Sequence, residues 1–171
     1  GAIPAFLKVR FNANEILVSL MLTYVAILLL SVMVHGHAVQ GTTHRDTLVE
    51  RAFSYLNAPY LWGGRSPLGI DCSGFVQMVY RFAGVTLPRD ASQQAQRGTT
   101  LSFIEECQPG DLAFFDNAEG KITHVGMVLS DGKIIHASGH VRIDELDHSG
   151  IFNNERNRHT HNLRLLKSYL P

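Results

Sequence analysis

Asp71-Cys72-Ser73-Gly74-Phe75 is the stretch from which the rest of the chain can be read. Asp71 has the residue type of a helix N-cap, because its carboxylate can accept hydrogen bonds from the unpaired N–H groups of a first turn. Phe75, Val76, Met78, Val79 and Phe82 recur on one apolar helical face, and Gly84 suits the C′ stop. Cys72 is therefore expected in the first turn, at the positive end of a helix dipole, where a thiol pKa falls and thiolate is favoured. A small buried residue that happens to open a helix fits the same stretch.

The bulk composition narrows the classes. A chain of 171 residues can bury one core of ordinary size. Lys+Arg and Asp+Glu balance at 15 each, which argues against a nucleic-acid binder with its basic surface. There are two cysteines, and pairing Cys72 would consume the nucleophile, so Cys72 and Cys107 are both read as free thiols.

Residues 1–42 form an N-terminal segment and linker. Lys8 and Arg10 precede Ile16–Val34, a run of 19 residues without a charge. That length suits a membrane-spanning helix with Lys8 and Arg10 left on the cytoplasmic side. Gly36-His37-Ala38 also resembles a signal-peptide cleavage site, and buried strands or a core helix fit the same composition. Each of the three fits export better than a cytosolic enzyme. His35 and His37 fall in the polar linker and are read as solvated.

Residues 43–171 carry the second domain. A helix is expected from His44 to Leu56, stopped by Asn57-Ala58-Pro59. A glycine- and proline-rich loop leads into Asp71. After the cysteine helix, Ala91–Arg97 reads as a short polar helix, Leu112–Phe115 as a buried strand and Ile122–Leu129 as the strongest strand. Asp131-Gly132 is the turn of a tight hairpin returning through Lys133–Ala137. Val141–Asp144 alternates apolar and charged residues as an outer strand does. Glu145–His161 reads as loop, and Leu163–Leu166 as a last strand. Helices first and strands later indicate an α+β fold.

A cysteine nucleophile needs a base within hydrogen-bond reach and a partner that orients the base. The hairpin offers both. His124 shares a strand face with Gly126, and antiparallel pairing about Asp131-Gly132 brings His136 beside His124 or one pair away. The chemistry expected of this set is acyl transfer. The Cys72 thiolate attacks a carbonyl, His124 moves the proton, and His136 fixes the His124 tautomer. The Cys72 N–H is a natural oxyanion donor, and Tyr60 could supply a second.

The ordered motifs also carry a resemblance. Asp71-Cys72-Ser73-Gly74-Phe75, with Pro59-Tyr60-Leu61-Trp62-Gly63-Gly64 before it and Pro109-Gly110-Asp111-Leu112 and His124-Val125-Gly126 after it, resembles the NlpC-type cell-wall cysteine peptidases. The likeness spans roughly Thr43 to Pro171. It implies a papain-like α+β fold, with the nucleophile helix packed on an antiparallel sheet. It implies hydrolysis of peptidoglycan stem peptides between γ-D-glutamate and a diamino acid, either meso-diaminopimelate or lysine, in a bacterial cell envelope. By the same resemblance Cys72, His124 and His136 are the triad, and Tyr60 serves the oxyanion site. Asp71 and Ser73 hold the polar end of the substrate, Trp62 lines the pocket and Ser92 touches substrate. Arg89 is read as a surface charge. Residues 1–42 are expected to be too few for the SH3-like domain that some members place before the catalytic part.

Two other classes compete. A non-catalytic wall-binding module of the same fold is disfavoured because Cys72, His124 and His136 are all present. A zinc site built from those three, with His140, His159 or His161 in reserve, lacks any C-x-x-C or H-E-x-x-H pair, so no metal and no cofactor are expected.

Overall fold

In the computed structural model the described residues are 22, 23, 26 and 44–170. Leu22, Thr23 and Ala26 are helical and exposed; the rest of the apolar run from 16 to 34, with its expected roles as anchor, signal or core, lies outside the described residues. Among the described residues no helix is long and apolar enough to cross a membrane.

Three helices precede most of the strands. Helix α1 is His44–Phe53, strands β1 (Arg65–Ser66) and β2 (Gly69–Ile70) make a small hairpin, α2 is Cys72–Phe82 and α3 is Ala91–Gln94. Then follow β3 (Thr99–Leu101), a 3-10 turn at Ile104–Glu106, β4 (Leu112–Asp116), β5 (Ile122–Val128), β6 (Lys133–Ser138), β7 (His140–Asp147), β8 (Gly150–Asn153) and β9 (Arg158–Ser168). Asp71 caps α2 from an extended backbone (φ −98°, ψ 176°), accepting the Gly74 N–H. Gly84, at φ +77°, follows the helix end where only a residue without Cβ turns freely.

The main sheet runs β3-β9-β4-β5-β6-β7-β8, all antiparallel, and β8 pairs back onto β9. That closure makes β4 to β9 a barrel and leaves β3 as an appended strand. The closure needs a long last strand. The first half of β9 pairs with β8 and its second half with β4 and β3.

Alternation along the strands separates two cores. Leu112, Phe114, Val125, Met127, Ile135, Ala137 and Val141 face outward and pack with Phe75, Val76 and Val79 of α2 and Leu48 and Ala52 of α1. Each large side chain so buried contributes about 1.5–3 kcal/mol. Ala113, Phe115, Val128, Ile134, Leu146, Ile151 and Leu166 fill the barrel. His124, Gly126, His136, Asp144 and His161 have the same parity as that second set, through the pairings Phe115↔His124, Gly126↔His136, Ile134↔Asp144 and Ile151↔His161.

Three expectations are corrected. Val141–Asp144 is not an outer strand. Its apolar face meets the helices while Arg142 and Asp144 turn into the barrel mouth, and Asp144 is only 6% exposed. The alternation is real, but the polar side faces histidines rather than water. Glu145–His161 is not a loop, because β7 extends to Asp147 and β8 and the start of β9 lie within it. Its polar residues pair across strands, as in His159–Asp147 and Arg142–Glu155. The first helix ends at Phe53 rather than Leu56, with turns carrying the chain to Pro59.

Candidate active site

Cys72 opens α2 and its side chain is buried to 7% exposure. The approach loop is held close to it. A Cβ on Gly74 would stand 2.4 Å from the Gly64 carbonyl oxygen, so only glycine lets the loop lie on the helix start. Hydrogen bonds from Tyr60 N–H to Gly139 O (3.1 Å) and from Leu61 N–H to Ile70 O (3.2 Å) fix the loop across the ends of β6 and β2.

A cavity of about 700 Å³ opens over the cysteine. Tyr60, Trp62, Asp71, Cys72, Ser73 and Ser92 all line it, together with Arg89, Asp90 and Thr123. The six cavity-facing residues singled out in the sequence are thus brought to one place. Trp62 is 85% exposed at the rim, so its indole is presented to solvent rather than packed. His124 and His136 are not among the residues lining the cavity; they are buried in the barrel mouth, 6% and 0% exposed, while Cys72 meets the backbone of Val125, next to His124.

The two histidines are joined. His124 Nε2 and His136 Nδ1 are hydrogen-bond partners at 2.8 Å. His136 sits opposite Gly126, two residues along β5 from His124 and on the same face. The space beside the imidazole is taken up by this neighbour: a Cβ on Gly126 would lie 2.9 Å from His136 Cβ and 2.7 Å from Ile134 Cδ1. The bond to His136 engages His124 Nε2 and leaves Nδ1 as the other ring nitrogen. His161 stacks on the His124 ring, with centroids 4.1 Å apart and planes at 26°.

Further groups extend this arrangement on both sides. Behind His136, Nε2 lies 3.0 Å from Asp144 Oδ2. Asp144 is in turn held by Arg142, whose Nη2 donates to Oδ1 at 3.0 Å, and by Asn153 Nδ2, 3.3 Å from each oxygen. In front, Asp71 Oδ1 accepts from the Gly74 N–H (2.7 Å) and Arg89 Nη1 (3.0 Å), and Oδ2 from the Gly63 N–H (2.8 Å) and Arg89 Nη2 (2.5 Å). Arg89 also donates to Ser73 Oγ at 2.8 Å. Arg89 is therefore not a free surface charge but a fork locked on Asp71, part of the cavity wall. A signal for Arg89 lay in the buried N-cap carboxylate, which needs a cation. Asp144 could have been found by extending the strand parity one hairpin beyond His136. The sequence offers His161 only as a reserve zinc ligand; nothing in it signals that β9 delivers this ring beside His124 from 25 residues beyond His136.

The electrostatics differ from the dipole expectation. Burial pushes the Cys72 thiol up, and the Asp71 charge adds to this, while backbone hydrogen bonds from Val125 and Ser73 work the other way without winning. Burial drives His124 well below the ordinary imidazole range, with His136 and His161 adding to the effect. His161 is carried down to about 4 by burial and by His136. Burial works to raise Asp71, but the Arg89 fork and the Gly74 and Gly63 N–H groups hold it below the usual carboxylate range. Tyr60 is raised by burial and by Cys72, so its O–H stays a donor. Taking two groups out of water disfavours their charged forms. Burial therefore favours the thiol of Cys72 and the neutral imidazole of His124. Among the described residues no cluster of histidine, cysteine and carboxylate side chains is arranged to hold a metal.

The NlpC/P60 family model matches residues 57–158, which contain every one of these groups except His161. The chain belongs to the NlpC/P60 family. It is 40% identical over 98 residues to a gamma-D-glutamyl-L-lysine dipeptidyl-peptidase of Bacillus cereus, a match that covers 56% of this chain and 29% of that protein. The chain thus spans under a third of that relative's length. The NlpC/p60 domain of the peptidoglycan hydrolase SagA is 28% identical with a TM-score of 0.58, covering 72% of this chain and 97% of that one. RipD from Mycobacterium tuberculosis, described as a non-catalytic NlpC/p60 domain protein adapted to peptidoglycan binding, shares the fold at 23% identity and a TM-score of 0.60 over 75% of this chain and 99% of its own. The helices packed on an antiparallel sheet are those of the family.

Proposed function

We propose that this chain is a cysteine peptidase that hydrolyses peptidoglycan stem peptides at the γ-D-glutamyl–diamino acid bond. What supports the reading is Cys72 on the cavity wall, in backbone hydrogen-bond contact with Val125 beside His124, and the hydrogen bond that joins His124 to His136. Residues 43–171 are the catalytic domain, exported to the cell envelope with residues 1–42 as leader or anchor, and no cofactor takes part.

The burial of both partners dictates how the nucleophile is made. An ion pair at rest is opposed by desolvation, so the proton leaves Cys72 Sγ for His124 Nδ1 as sulfur attacks the D-glutamyl γ-carbonyl carbon. The oxyanion that forms takes hydrogen bonds from the Cys72 N–H and the Tyr60 O–H. Collapse breaks the C–N bond, and the departing amine takes the proton from His124. Water then loses a proton to His124, attacks the thioester, and releases the γ-carboxylate and the thiol. His136 keeps the His124 ring in line through both halves. Ser73, Ser92 and the rim indole of Trp62 form the wall against which the stem peptide lies. Asp71 acts through Arg89, since both carboxylate oxygens are already occupied and the guanidinium shares the cavity wall.

Mass spectrometry of a muropeptide digest tests the reading. The expected result is cleavage of L-Ala-γ-D-Glu-diaminopimelate after D-Glu by the 171-residue chain and no cleavage by Cys72→Ala. Binding of muropeptides without cleavage by the unaltered chain would mean a wall-binding module instead.

A further inference from the structure

The peptidase reading uses His124 and His136 and stops there. Behind them lies a buried carboxylate with a fixed supply of donors. Asp144 on β7 is 6% exposed, and its Oδ2 is 3.0 Å from His136 Nε2. Every other group that hydrogen-bonds Asp144 is a donor: Arg142 of β7, through Nη2 to Oδ1 at 3.0 Å, and Asn153 of β8; Arg142 Nε lies 2.9 Å from Oδ2 as an ion pair without a hydrogen bond. Glu155 pairs with the far side of Arg142 at 3.0 Å. On β9, His161 lies beside His136, with ring centroids 5.7 Å apart. Asn153 is locked by the Arg156 N–H donating to its Oδ1 at 2.9 Å, so its amide presents Nδ2 to Asp144.

A line of hydrogen bonds has a direction, and a carboxylate sets it. Ionised, Asp144 can only accept, so His136 must carry its proton on Nε2. Neutral His136 then has a bare Nδ1, which can only accept, so His124 must donate to it from Nε2. That leaves His124 Nδ1 bare. It is the one tautomer in which His124 can take a proton from Cys72.

We infer that Asp144 is a positioning residue for the proposed reaction: it orders the protons along His136 and His124 so that the nitrogen left to Cys72 is a base. This inference rests on the peptidase reading for its catalytic consequence, but not for the tautomers themselves. Arg142 and Asn153 hold Asp144 in place, and the guanidinium balances its charge. Burial works to raise the Asp144 carboxyl, yet the hydrogen bonds from His136 and Arg142 hold it low, so it stays an acceptor through the neutral range.

Asp144→Asn separates this role from a structural one. An arginine cannot release its protons, whereas a histidine can change tautomer. The amide oxygen therefore stays on Arg142 Nη2 and the amide NH2 faces His136 Nε2, reversing the whole line and placing a proton on His124 Nδ1. A near-isosteric amide would be mild for packing. It is the worst choice for proton order.

Two-bond proton–nitrogen NMR spectra of the 171-residue chain at pH 7.5 read the tautomers directly. The expected result is Nε2–H with bare Nδ1 on both His124 and His136; an Nδ1–H form on either overturns the inference, whether or not any variant folds. In Asp144→Asn the two tautomers should invert. Hydrolysis of L-Ala-γ-D-Glu-diaminopimelate and alkylation of Cys72 should fall together, by up to about 10⁴-fold, the loss seen when a serine-protease triad carboxylate becomes an amide. Asp144→Ala, which leaves the tautomers unbiased, should fall less. Asn retaining activity within threefold, or Ala being the more damaging, overturns it. If the unaltered chain cuts no stem peptide, the peptidase reading fails, while the tautomers and the alkylation rates still decide the role of Asp144.

Discussion

Gly126→Ala is the sharpest test of how the site is held, because the perturbation is a single methyl group at a known place. The added Cβ would stand 2.7 Å from Ile134 Cδ1 and 2.9 Å from His136 Cβ. Ordinary carbon–carbon contact needs about 3.5–4.0 Å, so something must move by roughly 1 Å. Ile134 is fully buried inside the barrel and has little room to yield. The His136 Cβ is tied to its own strand, so β6 must shift relative to β5. Overpacking of this kind costs about 1–3 kcal/mol, which urea unfolding of the variant would report. The catalytic cost is separate. A shift of that size pulls His136 off its 2.8 Å partner on His124 and its 3.0 Å partner on Asp144. Misplacement by 1 Å can cost about 10²-fold in rate. The loss should appear in kcat and leave KM near its original value, since the cavity wall lies on the other side of Cys72. A Gly126→Ala protein with wild-type kcat would refute the argument, since it would show that His136 need not be held where it is. Loss of KM alone would place the histidines in substrate binding instead.

Two other outcomes follow from the charges. Alkylation of Cys72 by iodoacetamide should keep climbing past pH 9, because burial places the thiol above the ordinary value of 9.0. A plateau below pH 6 would mean a resting thiolate–imidazolium pair and remove the neutral-pair mechanism. Arg89→Ala should cost about 1–3 kcal/mol, because it leaves the Asp71 carboxylate buried with two backbone donors and a long bond from Ser73 Oγ but no cation. Asp71 is held below its unfolded value, so its contribution is present above about pH 4 and lost as pH falls through the folded value. In Arg89→Ala that acid-side slope of stability should flatten, and an unchanged slope in pH-dependent urea titrations would assign the shift to the backbone donors alone.

What could be read in the chain was what local chemistry decides. Asp71 as a cap, Gly84 as a stop and Asp131-Gly132 as a turn need only neighbours in sequence, and Asp131 and Gly132 do both take positive φ. The hairpin they close places His136 opposite Gly126, on the same face as His124 and two residues along, as alternation predicts. What escaped depends on closure of the barrel. Whether Arg142 and Asp144 face water or a core is set by where β8 and β9 return, and a polar stretch such as Glu145–His161 gives no apolar signal that it will pair. The thiol went the wrong way for a related reason. A helix dipole can be read from sequence, but the burial that outweighs it comes from packing β5 over the start of α2.

The same burial explains why the line behind Cys72 is long. Placing histidines in a barrel mouth leaves each ring with a second nitrogen that must find a partner, since an unmet polar group inside costs about 1–3 kcal/mol. His124 passes that need to His136, and His136 passes it to Asp144. Asp144 then brings a negative charge that burial would penalise, and Arg142 cancels it, reaching outward to Glu155, which is 73% exposed. The chain of partners ends only where water takes over. Burial, with His136 and His161 adding to it, holds the His124 imidazole toward its neutral form despite a carboxylate two hydrogen bonds away. In the proposed reaction, orientation without charge stabilisation is what the base needs when its nucleophile is itself kept neutral.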